Sequence, residues 1–198
     1  MKMQANYKLS FTAGGLMFNE TLKILELYQS NRSWDEIKNI AIYDNIFQSR
    51  VKSSLIRKVG ELFNRIKNLN DKEIDFFLAS DQKIQKYILW ISVCRTYKFI
   101  SQFTEQVLQE KVLHVNSKVT YEDFDAFYGK ISDWQPELEE IKDSTKKKIR
   151  QVLFKMMKEA EILSESNEIN FIFFPKDFTR VFNKIEDSIC YLPIVNFK

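Results

Sequence analysis

The chain has 198 residues, of which 44% are hydrophobic and 14% aromatic, so it can bury a substantial core and does not have the composition of a disordered protein. Only four glycines and three prolines occur, which argues against a fold built from many short strands and tight turns. The net charge of +3 excludes a strongly basic or acidic chain as a whole, and only a local concentration of charge can matter.

The first elements are a short predicted strand over residues 7–11, a turn at Gly14 and Gly15, and a helix with a one-sided apolar stripe that ends near residue 30. The two glycines are not part of a phosphate-binding sequence pattern, so we interpret them as a turn. The two cysteines, Cys94 and Cys190, are far apart and predict free thiols in a reducing compartment. Together with the absence of a signal-peptide pattern, this predicts a cytoplasmic protein.

Residues 34–69 have the pattern of a helix-turn-helix. Ser33 and Glu36 match a capping box, and residues 34–43 form the first predicted helix. A break at Asp44 and Asn45 precedes a longer helix, whose apolar side chains recur at helical spacing. These apolar positions are Val51, Leu55, Val59, Leu62, Ile66 and Leu69.

The opposite side of this longer helix is basic and rich in serine, and Glu61 is the one acidic residue between positions 46 and 67. A charged helix face is usually just solvated, but such a face mixes acids with bases, and this one largely omits the acids. We therefore predict nucleic-acid contacts here, with Arg able to bind phosphate or guanine. The predicted residues are Arg50, Lys52, Ser53, Ser54, Arg57, Lys58 and Arg65.

A core helix is predicted over residues 81–112, because residues 87–94 are apolar all round the helix. Arg95 and Lys98 interrupt it too early for a membrane span. His114, the single histidine, lacks the partners of a metal ligand or catalytic base, so we expect a structural role. A polar connection then suggests a domain boundary, which divides the chain into residues 1–114 and 115–198.

The C-terminal part predicts a winged helix-turn-helix: a capped helix from Tyr121, a long basic helix over residues 146–163, and a two-stranded ribbon from residues 169–174 and 189–194. Three lysines in the first turn of the long helix oppose the helix dipole, and a bound phosphate would relieve this. The predicted contacts on this second site are Lys146, Lys147, Lys148, Arg150 and Lys155.

Several separated segments resemble the BrxA family, small proteins of bacterial BREX phage-exclusion operons. These segments are YKLSFTAGGLMFNE at residues 7–20, ILWISVCRTYKFI at 88–100, YEDFDAFY at 121–128 and DSTKKKIRQVLFKMMKEAEIL at 143–163. The resemblance implies a mostly helical, non-enzymatic component, similar in fold to NusB-type antiterminators and carrying helix-turn-helix elements that bind double-stranded DNA. It also implies other BREX subunits, such as the methyltransferase, as partners. It carries over no catalytic motif.

The leading hypothesis is a double-stranded DNA-binding protein of phage defence that holds backbone phosphates, without cofactor, metal, membrane or small-molecule substrate. One alternative is an RNA-binding protein of the antiterminator type, although the aromatics that could stack on bases mostly have core spacing. Another is an adaptor that binds partner subunits, with Glu137, Glu139 and Glu140 facing a basic partner. An enzyme is disfavoured because no nucleotide-binding loop or nucleophile pattern occurs.

Overall fold

The computed structural model describes residues 7–31, 33–114, 117–172, 175–182 and 189–193. The predicted mainly helical class is confirmed, because most of these residues lie in helices. In chain order the helices are α1 (Phe18–Asn31), α2 (Trp34–Tyr43), α3 (Lys52–Ile66), α4 (Asp71–Ala79), α5 (Gln82–Thr96), α6 (Lys98–Phe103), α7 (Gln109–Leu113), α8 (Tyr121–Ser132), α9 (Pro136–Glu139), α10 (Asp143–Glu159) and α11 (Lys176–Phe182).

Polar caps fix several helix starts. The Ser33 side chain accepts a hydrogen bond from the Glu36 backbone N–H (3.4 Å), which starts α2 as the sequence predicted. Thr120 and Asp123 form a complete capping box at the start of α8. The long basic helix α10 begins at Asp143, earlier than predicted, and Lys142 at its N-cap makes no side-chain cap.

The predicted core helix is buried as expected but is not continuous. It consists of α5, α6, a π-helical segment (Thr104–Leu108) and α7. Tyr97 interrupts it with an extended backbone: its N–H donates to Val93 O (2.9 Å), and its carbonyl accepts from the N–H groups of Ile100 (2.9 Å) and Ser101 (3.1 Å). Tyr97 therefore ends α5 and starts α6. The break also directs the Tyr97 hydroxyl to the buried Glu61 carboxylate.

The predicted winged helix with its β-ribbon is not supported by the described residues. Ile169 forms an isolated antiparallel bridge to Leu163, and its N–H donates to Ser117 O (2.7 Å). Within the described ranges a single bond, from Ile172 N to Pro193 O (3.4 Å), joins the two predicted strands, and Ile189–Tyr191 is a 3-10 turn. Phe173, Phe174 and Ile194 lie outside the described residues. Side chains bind the backbone that a strand would have used. Trp90 Nε1 donates to Tyr191 O (2.9 Å), and Gln109 Nε2 donates to the carbonyls of Cys190 and Leu192 (2.7 Å each).

The predicted N-terminal strand is also absent from the described residues, where Ser10–Ala13 forms a 3-10 turn. At Gly15 the chain comes close to α10: a Cβ there would lie 2.2 Å from Glu159 Oε2, which accepts a hydrogen bond from Leu16 N (2.6 Å). A side chain at this position would displace the carboxylate from Leu16 N. The double glycine thus marks a contact between distant segments.

The buried apolar side chains form one cluster with members from Phe11, in the N-terminal 3-10 turn, to Leu192. Within it, α10 packs on α5 and on the Ser10–Ala13 turn, and α11 packs on α4. Burial of this cluster supplies the main driving force for folding. The predicted domain boundary follows residue 114, and residues 115–116 lie outside the described part of the chain.

Candidate nucleic-acid interface

Residues 44–51 connect α2 to α3 and position the start of the basic helix. Asn45 has a positive φ of 47°, and its side chain accepts from Ser49 N (2.8 Å) and donates to Ser49 O (3.0 Å), which ties the loop together. The connection is longer than the three or four residues of a typical helix-turn-helix. As a result α3 starts at Lys52, after the predicted position, and Val51, predicted in the apolar stripe, is its exposed N-cap.

The structure brings six of the predicted DNA contacts together around the first half of α3, and we call this group the α3 surface. Arg50, Lys52, Ser53 and Arg57 are exposed, while Ser54 and Lys58 are half-buried. None of its four cations forms an ion pair with a carboxylate in the described part of the chain. Their charge is therefore available to an anionic partner.

Arg65 does not belong to this surface, although the sequence placed it there. The residue is only 3% exposed. Its Nε and Nη2 donate to Glu61 Oε1 (3.0 and 2.9 Å), and its Nη1 donates to Gly15 O (2.8 Å). The N-terminal segment covers this part of α3, so Arg65 holds that segment in place and is unavailable to nucleic acid.

The buried Glu61 carboxylate also affects the pKa of a neighbouring tyrosine, Tyr97. Burial, followed by the hydrogen bond that the Tyr97 hydroxyl gives to Glu61, raises the pKa of Tyr97 to about 12. Ser10 Oγ also donates to Glu61 Oε2 (3.1 Å), so the buried carboxylate is held by three side chains from separate segments. Its role is structural, because the ion pair and hydrogen bonds occupy both carboxylate oxygens.

The second predicted cluster, at the start of α10, is partly neutralised by the protein itself. Arg150 Nη1 lies 2.6 Å from Asp125 Oδ2 and Lys146 Nζ lies 3.8 Å from Asp125 Oδ1, both reaching across to α8. The two cations also lie over aromatic rings, Arg150 over Tyr121 (4.5 Å) and Lys146 over Tyr128 (4.8 Å).

Lys147 and Lys148 are exposed and have no carboxylate partner among the described residues. Together with Lys146 and Arg150 they form what we call the α10 surface. This surface contains a shallow depression of about 360 Å³, which is lined by Lys147, Lys148, Arg150 and Tyr121. Lys155, the last predicted contact, is exposed and lies 3.6 Å from Glu159 in an ion pair one turn along the helix.

Sequence reasoning missed several residues beside the α3 surface. Tyr43 is 91% exposed at the end of α2 and lines a groove of about 810 Å³ with Ser49, Arg50 and Lys52. Ile56 is exposed on α3 itself. The signal for Ile56 was available, because it falls outside the apolar spacing that runs through Leu55 and Val59. The exposure of Tyr43 could not be predicted from its spacing.

His114, the single histidine of the sequence, lines a cavity of about 420 Å³ with Glu110, Lys111 and Asp123. His114 is exposed, and its Nδ1 lies 2.8 Å from Glu110 O. Across the described residues, no three His, Cys, Asp or Glu side chains are grouped as metal ligands would be. No disulfide joins Cys94 and Cys190, and burial raises the pKa of Cys94 well above its usual value. In the same residues, every helix is too short or too polar to cross a bilayer.

Comparison with known proteins agrees with the resemblance seen in the sequence. The chain is 27% identical over 157 residues to the BREX protein BrxA of Bacillus cereus (strain H3081.97), covering 79% of this chain and 78% of that protein. The fold is similar to the crystal structure of an uncharacterized protein from Magnetospirillum magneticum, with a TM-score of 0.76, 15% identity, and coverage of 96% of this chain and 100% of that one. The BrxA family model matches residues 5–186, which confirms the prediction from the sequence: the chain belongs to the BrxA family.

Proposed function

We propose that this chain is a non-enzymatic, double-stranded DNA-binding component of a BREX-type phage-exclusion system. The observation that carries the proposal is the α3 surface, where Arg50, Lys52 and Arg57 are exposed without an ion-pair partner in the described residues. Unpaired cations on one helix face provide the electrostatic attraction that dominates the affinity of proteins for duplex DNA. In this proposal α2 and α3 act as a helix-turn-helix with a lengthened turn, and most contacts are to backbone phosphates.

The α10 surface is the second contact in this proposal. Both helices are anchored near the same point: Arg65 of α3 binds Gly15 O and Glu159 of α10 binds Leu16 N. At 1.5 Å per residue, Arg57 is about 12 Å along α3 from Arg65, and Lys148 is about 16 Å along α10 from Glu159. The proposal requires that both surfaces, which extend from this shared anchor, face the same duplex.

A salt titration of binding tests the proposal. Fluorescence anisotropy with a random 20-base-pair duplex, from about 50 to 200 mM salt, should give an affinity that falls steeply, with a log–log slope of about −0.9 for each phosphate neutralised. The double variant Arg50→Glu, Arg57→Glu should lose most of the binding. The matched control Lys72→Glu, Lys83→Glu reverses two exposed lysines outside both surfaces and should bind far better. Absence of binding by the wild type at the lowest salt would refute the proposal.

Binding of single-stranded RNA is a second candidate, favoured by Tyr43. Its exposed ring lies in the same groove as Arg50 and Lys52, and an aromatic side chain beside cations can stack on an unpaired base. Competition between duplex DNA and RNA of matched length separates the two functions. If RNA displaces DNA efficiently and Tyr43→Ala abolishes that displacement, RNA is the preferred ligand.

An adaptor role toward other BREX subunits, such as the methyltransferase, fits the exposed side chains near the acidic helix α9. Trp134 is 79% exposed just before α9, and Glu137 and Glu139 lie on it. This acidic helix lies just before α10 in the chain, so a basic partner bound here would lie beside the α10 surface. Co-purification with other subunits after nuclease treatment, lost in Trp134→Ala, would support this role.

A further inference from the structure

A single stripe of exposed side chains runs along α3 beyond the predicted basic cluster. Ser53, Ile56, Arg57 and Asn64 are exposed and Gly60 is half-buried between them, at spacings of three, four and seven residues that place them on one helix face. We call these five residues the α3 stripe. It contains no carboxylate, and Lys52 and Lys67 are exposed at its two ends.

Gly60 is the least expected member of this stripe. Glycine is among the least favourable residues in a helix interior, and it is normally retained there for close packing or a positive φ. Neither reason applies: a Cβ at Gly60 would meet no atom within 4 Å, and no glycine in the described residues has a positive φ. The protein interior therefore does not explain this glycine, and its missing side chain leaves room for an external ligand.

The chemistry of the neighbouring side chains identifies that ligand. Arg can donate two hydrogen bonds to guanine O6 and N7, Asn can bind adenine N6 and N7, and an aliphatic side chain can contact the thymine methyl group. Arg57, Asn64 and Ile56 carry these three groups on one exposed face. Phosphate binding could use the donors of Arg57 and Asn64, but it gives no role to the exposed isoleucine or the open glycine.

We propose that the α3 stripe enters the major groove and reads base edges, so that binding is sequence-selective. The inference rests on the proposed DNA-binding function and adds selectivity to phosphate affinity. Lys52 and Lys67 bind phosphates at the two ends of the helix, and Gly60 lets the helix approach the base pairs. Arg57 and Asn64 are seven residues apart, about 10 Å along the helix, which corresponds to about three base pairs.

Selection from a random duplex pool with the full chain tests this directly. We expect an enriched site with a guanine and an adenine about three base pairs apart, bound at least about tenfold more tightly than a scrambled duplex. Arg57→Lys keeps the charge but loses the two-bond geometry, so it should lose the guanine preference and keep its affinity for the scrambled duplex. Asn64→Ala should lose the adenine preference in the same way.

Gly60→Gln provides a second test that does not depend on removing a contact. The new side chain should lower affinity for the selected site about tenfold or more while thermal stability stays equal or rises. The matched control is Gly129→Gln in α8, the other helical glycine of the described residues whose Cβ would meet nothing. It should change stability similarly and leave selectivity intact.

The outcomes separate this inference from the function on which it rests. If no motif is enriched while random duplex DNA still binds with a steep salt dependence, the base-reading inference is overturned and the DNA-binding proposal stands. The base-reading inference is also overturned if Gly60→Gln binds the selected site as tightly as the wild type. If no duplex binds even at low salt, both are overturned.

Discussion

Arg65 and Glu61 form an ion pair one turn apart in α3, with an Nη2–Oε1 distance of 2.9 Å and both side chains 4% exposed. A buried ion pair is not a strong source of stability compared with apolar packing, but removing one member leaves an uncompensated charge. Arg57, two turns earlier on the same helix, is exposed. Two arginines on one helix therefore have different expected roles.

We predict that Arg65→Met lowers the free energy of unfolding by about 3 to 5 kcal/mol, because Glu61 is left buried without its cation. Arg57→Met should change it by less than about 0.5 kcal/mol, as expected for an exposed position. Urea denaturation measures both. Duplex affinity should show the reverse order, with a loss for Arg57→Met and little change for folded Arg65→Met. A large stability loss at Arg57 would contradict this assignment.

Asp125 limits the charge available on the α10 surface, since it pairs with both Lys146 and Arg150. We predict that Asp125→Asn raises duplex affinity several-fold at low salt and steepens the salt dependence, because two cations are released for phosphates. Stability should fall by at most about 1 kcal/mol, the usual value of a partly exposed ion pair. Anisotropy titrations at several salt concentrations measure the effect. Unchanged affinity would show that the α10 surface does not contact DNA.

The contact between Gly15 and Glu159 predicts a non-additive pair of substitutions. Gly15→Ala should lower stability by about 1.5 to 3 kcal/mol, because the new Cβ displaces the carboxylate that binds Leu16 N. In a Glu159→Ala background the same change should cost much less, since nothing remains to be displaced. Thermal or urea unfolding of the four proteins measures the coupling. Additive effects would contradict the close approach.

Tyrosine ionisation predicts a loss of stability in alkaline solution. Burial raises the pKa of the Tyr97 and Tyr87 hydroxyls to about 12. The Glu61 carboxylate adds to this rise at Tyr97, and Glu161 and Asp81 add to it at Tyr87. The unfolded chain loses these protons near pH 10, so between about 10 and 12 the native state binds more protons and stability falls as pH rises. Below about pH 10 this contribution is complete. Unfolding experiments across this range should show a shallower decline for Tyr97→Phe, and an equal decline would refute the assignment.

The helices were predictable from local information, and their exposure was predictable only in part. The spacing of Leu55, Val59 and Leu62 identified the buried face of α3, and all three are buried. The same spacing could not place Arg65, because a segment from the N-terminus covers it. Apolar periodicity reports what a helix face prefers, whereas burial of a charged side chain depends on which distant segment packs there.

The wrong predictions have a common physical origin. The composition of residues 169–174 favours a strand, but the C-terminal backbone is bound by side chains of Trp90 and Gln109, leaving no ladder for the described part of a ribbon. Likewise, nothing in the sequence around Tyr97 contains the glycine or proline that usually breaks a helix. In both places a long-range side-chain hydrogen bond accompanies the unexpected backbone, and a single sequence does not reveal such bonds.

The π-helical segment before α7 sets the angular position of everything that follows it. Its widened turn, closed by the bond from Gln109 N to Thr104 O, accommodates one more residue than an α-helical turn would. If this segment were wound as ordinary α-helix with all its residues kept, the extra residue would no longer be absorbed and α7 would rotate by roughly 100°. The Gln109 amide would then no longer reach the carbonyls of Cys190 and Leu192. The C-terminal segment would lose these hydrogen bonds although none of its own residues had changed.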